Sequence, residues 1–164
     1  MQTMPHLLEP ETIARLKKIL VPVDFSLPSQ QALDYARSFA RCFEGEIILL
    51  HAVPRMTAAP YPEVPGFVAT IQKEELKDAE HNLQALAMSD SPDDPVKLRT
   101  LVRNGLPAHE IVEAAKELDA DLIVIATHGY TGWKHFCIGS TTERVVRTAP
   151  CPVFVIREKE HEFA

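Results

Sequence analysis

Five short apolar runs alternate with four stretches of helical periodicity between Lys18 and Glu158. "KILVPVDF" (Lys18–Phe25), "EIILLHAV" (Glu46–Val53), "VKLRTLVRN" (Val96–Asn104), "DLIVIAT" (Asp121–Thr127) and "CPVFVIRE" (Cys151–Glu158) read as strands. After the first, Ser26 can cap a helix with Pro28 in its first turn. Ala32, Leu33, Ala36, Phe39, Ala40 and Phe43 share one face of it, and Gly45 suits its end. Further helices are expected over Phe67–Met88, from Pro107 to Leu118, and from Thr141 to Thr148. The third run alternates apolar and polar residues, as a strand near a sheet edge does. The second is apolar through its centre, as a strand buried on both faces is. Strict βα alternation predicts an α/β fold, a parallel sheet with helices on both faces. Such sheets bind ligands beyond the carboxyl ends of their strands, where the winding reverses. Polar residues stand at three of those ends: Asp24, His51 and the pair Thr127-His128.

The chain has 164 residues, enough for one domain with a real core. Its net charge of -6 argues against a nucleic-acid-binding surface, and no apolar run approaches a membrane span. The first residues lack the pattern of a secretion signal, so residues 1–16 read as an arm ahead of a domain over 17–158, with 159–164 as a solvated tail. Cys42, Cys137 and Cys151 show no CxxC spacing, and the seven histidines no HExxH pair. Free thiols in a cytoplasmic protein are expected, and no metal site. The stretch Pro54–Gly66, with four prolines, reads as a loop.

Of only six glycines, three fall in "ATHGYTGWKHFCIGSTTERV" (Ala126–Val145), between the fourth strand and its helix. Glycine lets backbone approach a ligand closely, and a helix N-terminus offers unpaired N–H groups at the positive end of a dipole. Together they can hold a phosphate. Gly129 would turn the chain off the strand, Gly139 would bring backbone to the anion, and Ser140 and Thr141 would add donors. A second reading fits the same residues: "STTE" (Ser140–Glu143) is a capping box, which satisfies the helix end without a ligand. The stretch is neither GxxxxGK[ST] nor GxGxxG, so it is not a P-loop or a dinucleotide fingerprint. At the first strand, Ser26 is the better cap, which leaves Asp24 to a ligand. His51 reads as a hydrogen-bonded core histidine.

These motifs resemble the universal stress protein (UspA-like) family. Its motif G-x2-G-x9-G-[ST] is matched by Gly129, Gly139 and Ser140, with Ala126 standing where the first glycine belongs. "KKILVPVDFS", "ILLHAV", "DLIVIATHGYTG" and "GSTTERVVRTAPCPVFVIR" follow the family in order, covering Lys17 to Arg157. The resemblance implies a three-layer, doubly wound sheet of five mainly parallel strands in the order 3-2-1-4-5 with four helices, the adenine nucleotide alpha-hydrolase-like fold. It implies a stress-response regulator binding ATP, or AMP or ADP, with Mg²⁺ able to accompany the phosphates. Pro22 and Val23 would line the nucleoside pocket, Asp24 would take the ribose hydroxyls, and Ala52 would read adenine through backbone groups. Ala126 would pass beside the ribose. Gly129, Gly139, Ser140 and Thr141 would hold the phosphates, with His128 nearby. It further implies a homodimer paired through the last strand, Pro152, Val153, Phe154, Val155 and Ile156. Two alternatives stand beside this: a nucleotide-independent interaction protein of the same fold, which the Ala126 departure favours, and a slow ATP hydrolase. No catalytic residue is identified.

Overall fold

The computed structural model describes residues 16–56, 66–88, 96–127 and 139–157. The N-terminal arm, the centre of the proline-rich loop, most of the glycine stretch and the C-terminal tail lie outside them.

Five strands, β1 (Lys18–Pro22), β2 (Glu46–Val53), β3 (Lys97–Asn104), β4 (Leu122–Ala126) and β5 (Val153–Ile156), alternate with four helices, α1 (Leu27–Phe43), α2 (Phe67–Met88), α3 (Pro107–Leu118) and α4 (Ser140–Thr148). The strands form one sheet in the order β3-β2-β1-β4-β5, and every neighbouring pair is parallel. The chain winds outward from β1 through β2 to β3, returns over β1 by α3, and winds outward again through β4 to β5. The winding therefore reverses between β1 and β4.

Side-chain alternation along the strands sorts the core into two layers. Ile19, Val21, Ile47, Leu49, Leu122 and Val124 pack with Ala32, Leu33, Ala36 and Ala40 of α1 and Leu83 of α2. Leu20, Ile48, Leu50, Ile123 and Ile125 pack on the other face with Ile111, Val112, Ala114 and Ala115 of α3 and Val145 of α4. Each fully buried Leu or Ile contributes roughly 1.5–3 kcal/mol over its exposed state. The three inner strands, β2, β1 and β4, are therefore the most heavily anchored elements, and they carry the candidate site.

The helix ends differ from the sequence reading in two places. Ser26 does cap α1, its side chain accepting from the Ser29 N–H, with Pro28 in the first turn. The left-handed residue closing α1 is Glu44, at φ 53°, and not Gly45. Gly45 is needed for space instead: a Cβ there would stand 2.4 Å from the Leu16 carbonyl oxygen. The expected capping box at Ser140 and Glu143 does not form. Gly139 is the N-cap of α4, no side chain among the described residues caps it, and Glu143 pairs with Arg147 at 2.9 Å.

Four strands are shorter than their apolar runs, most of all β1, which stops at Pro22, and β5, which spans only Val153–Ile156; β3 and β4 lose one residue and two. β3 is the edge strand its alternation predicted. Cys42 and Cys151 are free thiols, and burial, reinforced by the Asp121 carboxylate, pushes the Cys151 thiol up from its ordinary value. No described helix is long and apolar enough to cross a membrane.

Candidate functional site

The candidate site lies where the pairing of β1 with β4 ends. At the amino edge of the sheet β1 and β4 are tied tightly: Asp121 Oδ2 accepts from the Lys17 and Lys18 N–H groups at 2.8 Å each, and the Asp121 N–H donates to the Lys18 carbonyl at 2.9 Å. That last bond fixes the parity of the ladder. Lys18, Leu20 and Pro22 turn their backbone groups toward β4, while residues 19, 21 and 23 turn theirs toward β2. Proline has no N–H, so the ladder to β4 loses a bond at Pro22. The paired register between β1 and β4 covers only Ile19↔Leu122 and Leu20↔Ile123, against five residue pairs between β1 and β2. The two strands are stitched at their start, and their paired register ends before their carboxyl ends, at the point where the winding reverses.

Register places the sequence-predicted residues around it. Leu20 pairs with Ile48 on one side and Ile123 on the other. Four residues on, Asp24, Ala52 and Thr127 stand at one level on the carboxyl edge. At ordinary sheet geometry two strand spacings separate Ala52 from Thr127, about 10 Å. Pro22 and Val23 are buried at the floor, and Ala126 is buried with its methyl in the α1–α2 layer of the core. Pro22, Val23, Asp24, Ala52, Ala126, Gly139, Ser140 and Thr141 thus share one edge of the sheet. His128 and Gly129 lie outside the described residues.

The β2 side presents bare backbone. The Val23 N–H donates to the Leu50 carbonyl at 2.8 Å, and the Gly105 N–H donates to the Val53 carbonyl at 2.9 Å. By alternation the Ala52 N–H and C=O face the β1 side, beyond the last paired residue of β1. Among the described residues nothing pairs with either group.

Asp24 is half-buried, and its Oδ1 accepts from both the N–H and the hydroxyl of Ser26. Ser26 therefore does not release Asp24 from capping, as its sequence suggested; the two act together, and the carboxylate is held in a fixed plane. Phe25 follows in the left-handed region at φ 66°. That conformation costs an aromatic residue roughly 1–2 kcal/mol, offset by its ring lying 4.6 Å from that of His51 and by Gln30 Nε2 donating to its carbonyl at 3.2 Å.

The β4 side is built by close backbone approach. The Gly139 N–H donates to the Thr127 carbonyl at 2.8 Å, and a Cβ on Gly139 would stand 2.9 Å from that oxygen. Packing alone therefore demands glycine here; its φ of -57° would suit any residue. Thr142, buried in the first turn of α4, donates its hydroxyl to the Ala126 carbonyl at 2.7 Å. This pins the N-terminus of α4 over the end of β4. With no capping side chain, the Ser140, Thr141 and Thr142 N–H groups have no acceptor among the described residues. Sequence reading missed Thr142 and the Phe25–His51 pair. The available signal for Thr142 was its place as the third residue of "STTE", on the inward side of a helix that must cross β4.

The edge can hold an anion at one end, through uncapped helix N–H groups, and a planar group with a donor and an acceptor at the other, through Ala52. A half-buried carboxylate stands between them. Comparison with known proteins gives the family and the fold. The model of the universal stress protein family matches residues 15–157. Universal stress protein MJ0531 of Methanocaldococcus jannaschii is 34% identical over 151 residues, covering 89% of this chain and 85% of that one. The solved structure of MJ0577, from the same organism, is similar with a TM-score of 0.77 at 28% identity, over 90% of this chain and 99% of that one. The universal stress protein UspA of Lactobacillus plantarum is similar with a TM-score of 0.70 at 33% identity, over 88% and 99%. Two further solved universal stress proteins, one in complex with cAMP and one from Archaeoglobus fulgidus in complex with dAMP, share the fold at 22% and 21% identity, with TM-scores of 0.56 and 0.55.

Proposed function

The chain belongs to the universal stress protein family, and from that premise we propose that it binds an adenine nucleotide in the crevice between β1 and β4 and acts as a nucleotide-dependent regulator in the stress response. ATP is the best-matched ligand, with ADP and AMP as weaker ones. The observation that carries this is a pair of backbone sites on one edge with no partner among the described residues: the Ala52 N–H and C=O, and the first turn of α4. An N–H beside a C=O matches the ring nitrogen and exocyclic amine of adenine, and opposes the reversed pattern of guanine. The ribose hydroxyls donate to Asp24, and the phosphates, with any Mg²⁺ they bring, meet the Ser140–Thr142 amides. His128 and Gly129 are proposed to complete the phosphate end. Two solved proteins of this fold are complexes with cAMP and dAMP; support for this chain comes from its own backbone. The test is to denature the purified protein and identify what it releases by chromatography, then to titrate stripped protein with ATP and GTP. Released adenine nucleotide, or ATP binding well above GTP, is expected. Empty protein that ignores ATP at millimolar concentration would leave the regulator without its ligand.

A second reading, a nucleotide-independent dimer, draws on a specific observation. Gly139 is explained by packing against Thr127 without any phosphate. Dimerisation is proposed in both readings, since β5 is an edge strand whose outer side is unpaired among the described residues.

A further inference from the structure

His51 lies in β2 one residue before Ala52, and its ring Nδ1 sits 2.7 Å from the Val23 carbonyl oxygen. A carbonyl can only accept, so Nδ1 carries the proton. In a parallel ladder a residue aligned as Val23 is with His51 makes two bonds: its N–H to the carbonyl of the residue before its partner, and its carbonyl from the N–H of the residue after it. The first exists, Val23 N–H to Leu50 carbonyl at 2.8 Å. The second would be Ala52 N–H to Val23 carbonyl. It is missing, and the His51 imidazole occupies that carbonyl instead.

We infer that His51 is a positioning residue which ends the β1–β2 ladder one bond early, taking the Val23 carbonyl with its side chain so that the Ala52 N–H stays available to read adenine. This rests on the nucleotide reading above. The Phe25 ring against His51 holds the imidazole in place, which gives the left-handed Phe25 a purpose. A buried ladder would otherwise close, because an amide facing an acceptor across two paired strands has no reason to remain open. The histidine is therefore a competitor for that acceptor, built into the strand beside the amide it keeps free.

The experiment compares wild type, His51→Phe and His51→Gln by amide hydrogen exchange without nucleotide and by titration with ATP and with inorganic tripolyphosphate. Phenylalanine keeps the ring on Phe25 but cannot donate. In His51→Phe the Ala52 amide is expected to close on Val23 and exchange at least about tenfold more slowly, and ATP to bind about tenfold more weakly, the worth of one hydrogen bond. Tripolyphosphate, which meets only the α4 end, is expected to bind unchanged, whereas a general loss of structure would weaken both ligands. His51→Gln, with an amide donor, is expected to recover ATP affinity. An Ala52 amide already as protected as that of Leu50 in wild type overturns the inference, and this holds even if His51→Phe does not fold. So does ATP affinity in His51→Phe equal to wild type. Wild type that binds no ATP sinks the nucleotide reading and takes this inference with it.

Discussion

At Asp24 one carboxylate oxygen already holds the start of α1, through the N–H and hydroxyl of Ser26. Removing the side chain would mix two effects, a lost ligand contact and a lost support for the cap worth about 1 kcal/mol. Asp24→Asn separates them, because an amide oxygen still accepts from Ser26 while the negative charge is gone. Its melting temperature should stay close to wild type, and ATP should bind roughly tenfold more weakly by calorimetry, as expected for a charge-assisted hydrogen bond. 2′,3′-Dideoxy-ATP should lose nothing; an equal loss for both nucleotides would remove Asp24 from the ribose. The position of Asp24 after an apolar run was legible in the sequence. Its sharing with Ser26 was not, because both residues are good caps and only geometry decides which oxygen meets which donor. Gly139 has the same character: spacing marked it, but the carbonyl that excludes a Cβ lies twelve residues earlier, at Thr127.

For the elements, α4 offers a cleaner test of the phosphate end than any change at Gly139, where a side chain would disturb β4 whether or not a ligand binds. Ser140 is the first residue of α4, where proline is tolerated because the missing N–H is unpaired within the helix anyway. Gly139, at φ -57° and ψ 147°, already has the backbone that a residue before proline requires. Ser140→Pro should fold with unchanged or slightly raised stability, by up to about 1 kcal/mol. By calorimetry it should bind ATP about ten- to a hundredfold more weakly, as one amide bond to an anion is lost. Adenosine, which has no phosphate, should be unaffected.

The helices Phe67–Met88 and Pro107–Leu118 were legible to the residue, because Gly66 and Pro107 punctuate their starts and their periodicity is long. The strand ends were not. Composition carries Lys18–Phe25 through as one apolar run, while the ladders obey hydrogen bonding: pairing with β4 ends at Leu20, before Pro22, which has no N–H to donate, and pairing with β2 ends at Pro22.

At the level of the whole molecule, the alternation of runs was enough to give a parallel sheet. The order β3-β2-β1-β4-β5 came only with the family resemblance, since local pattern does not say on which side of β1 the fourth strand returns. Assembly is proposed at the β5 edge. The Ile123 N–H donates to the Pro152 carbonyl and the Thr127 N–H to the Ile156 carbonyl, so by alternation the backbone groups of Val153 and Val155 face outward. Beside that edge Phe154, 41% exposed, stacks edge-on to Phe39 at 5.1 Å and near Tyr35 at 6.2 Å. Val155→Pro removes an outward N–H and leaves the ladder to β4 intact. If copies of the chain pair through β5, this variant should sediment as a folded monomer where wild type is a dimer. A wild-type monomer, or a dimer unaffected by proline, would place assembly elsewhere.

The central claim is that one ligand spans two backbone sites, Ala52 on β2 and the first turn of α4, across the unpaired end of β1. The most direct measurement is a titration of ¹⁵N-labelled protein with ATP, followed through its amide shifts. The largest changes should fall together on Ala52 and on Ser140, Thr141 and Thr142, saturating along one binding curve. Changes confined to other surfaces, or those four amides standing still at millimolar ATP, would contradict it.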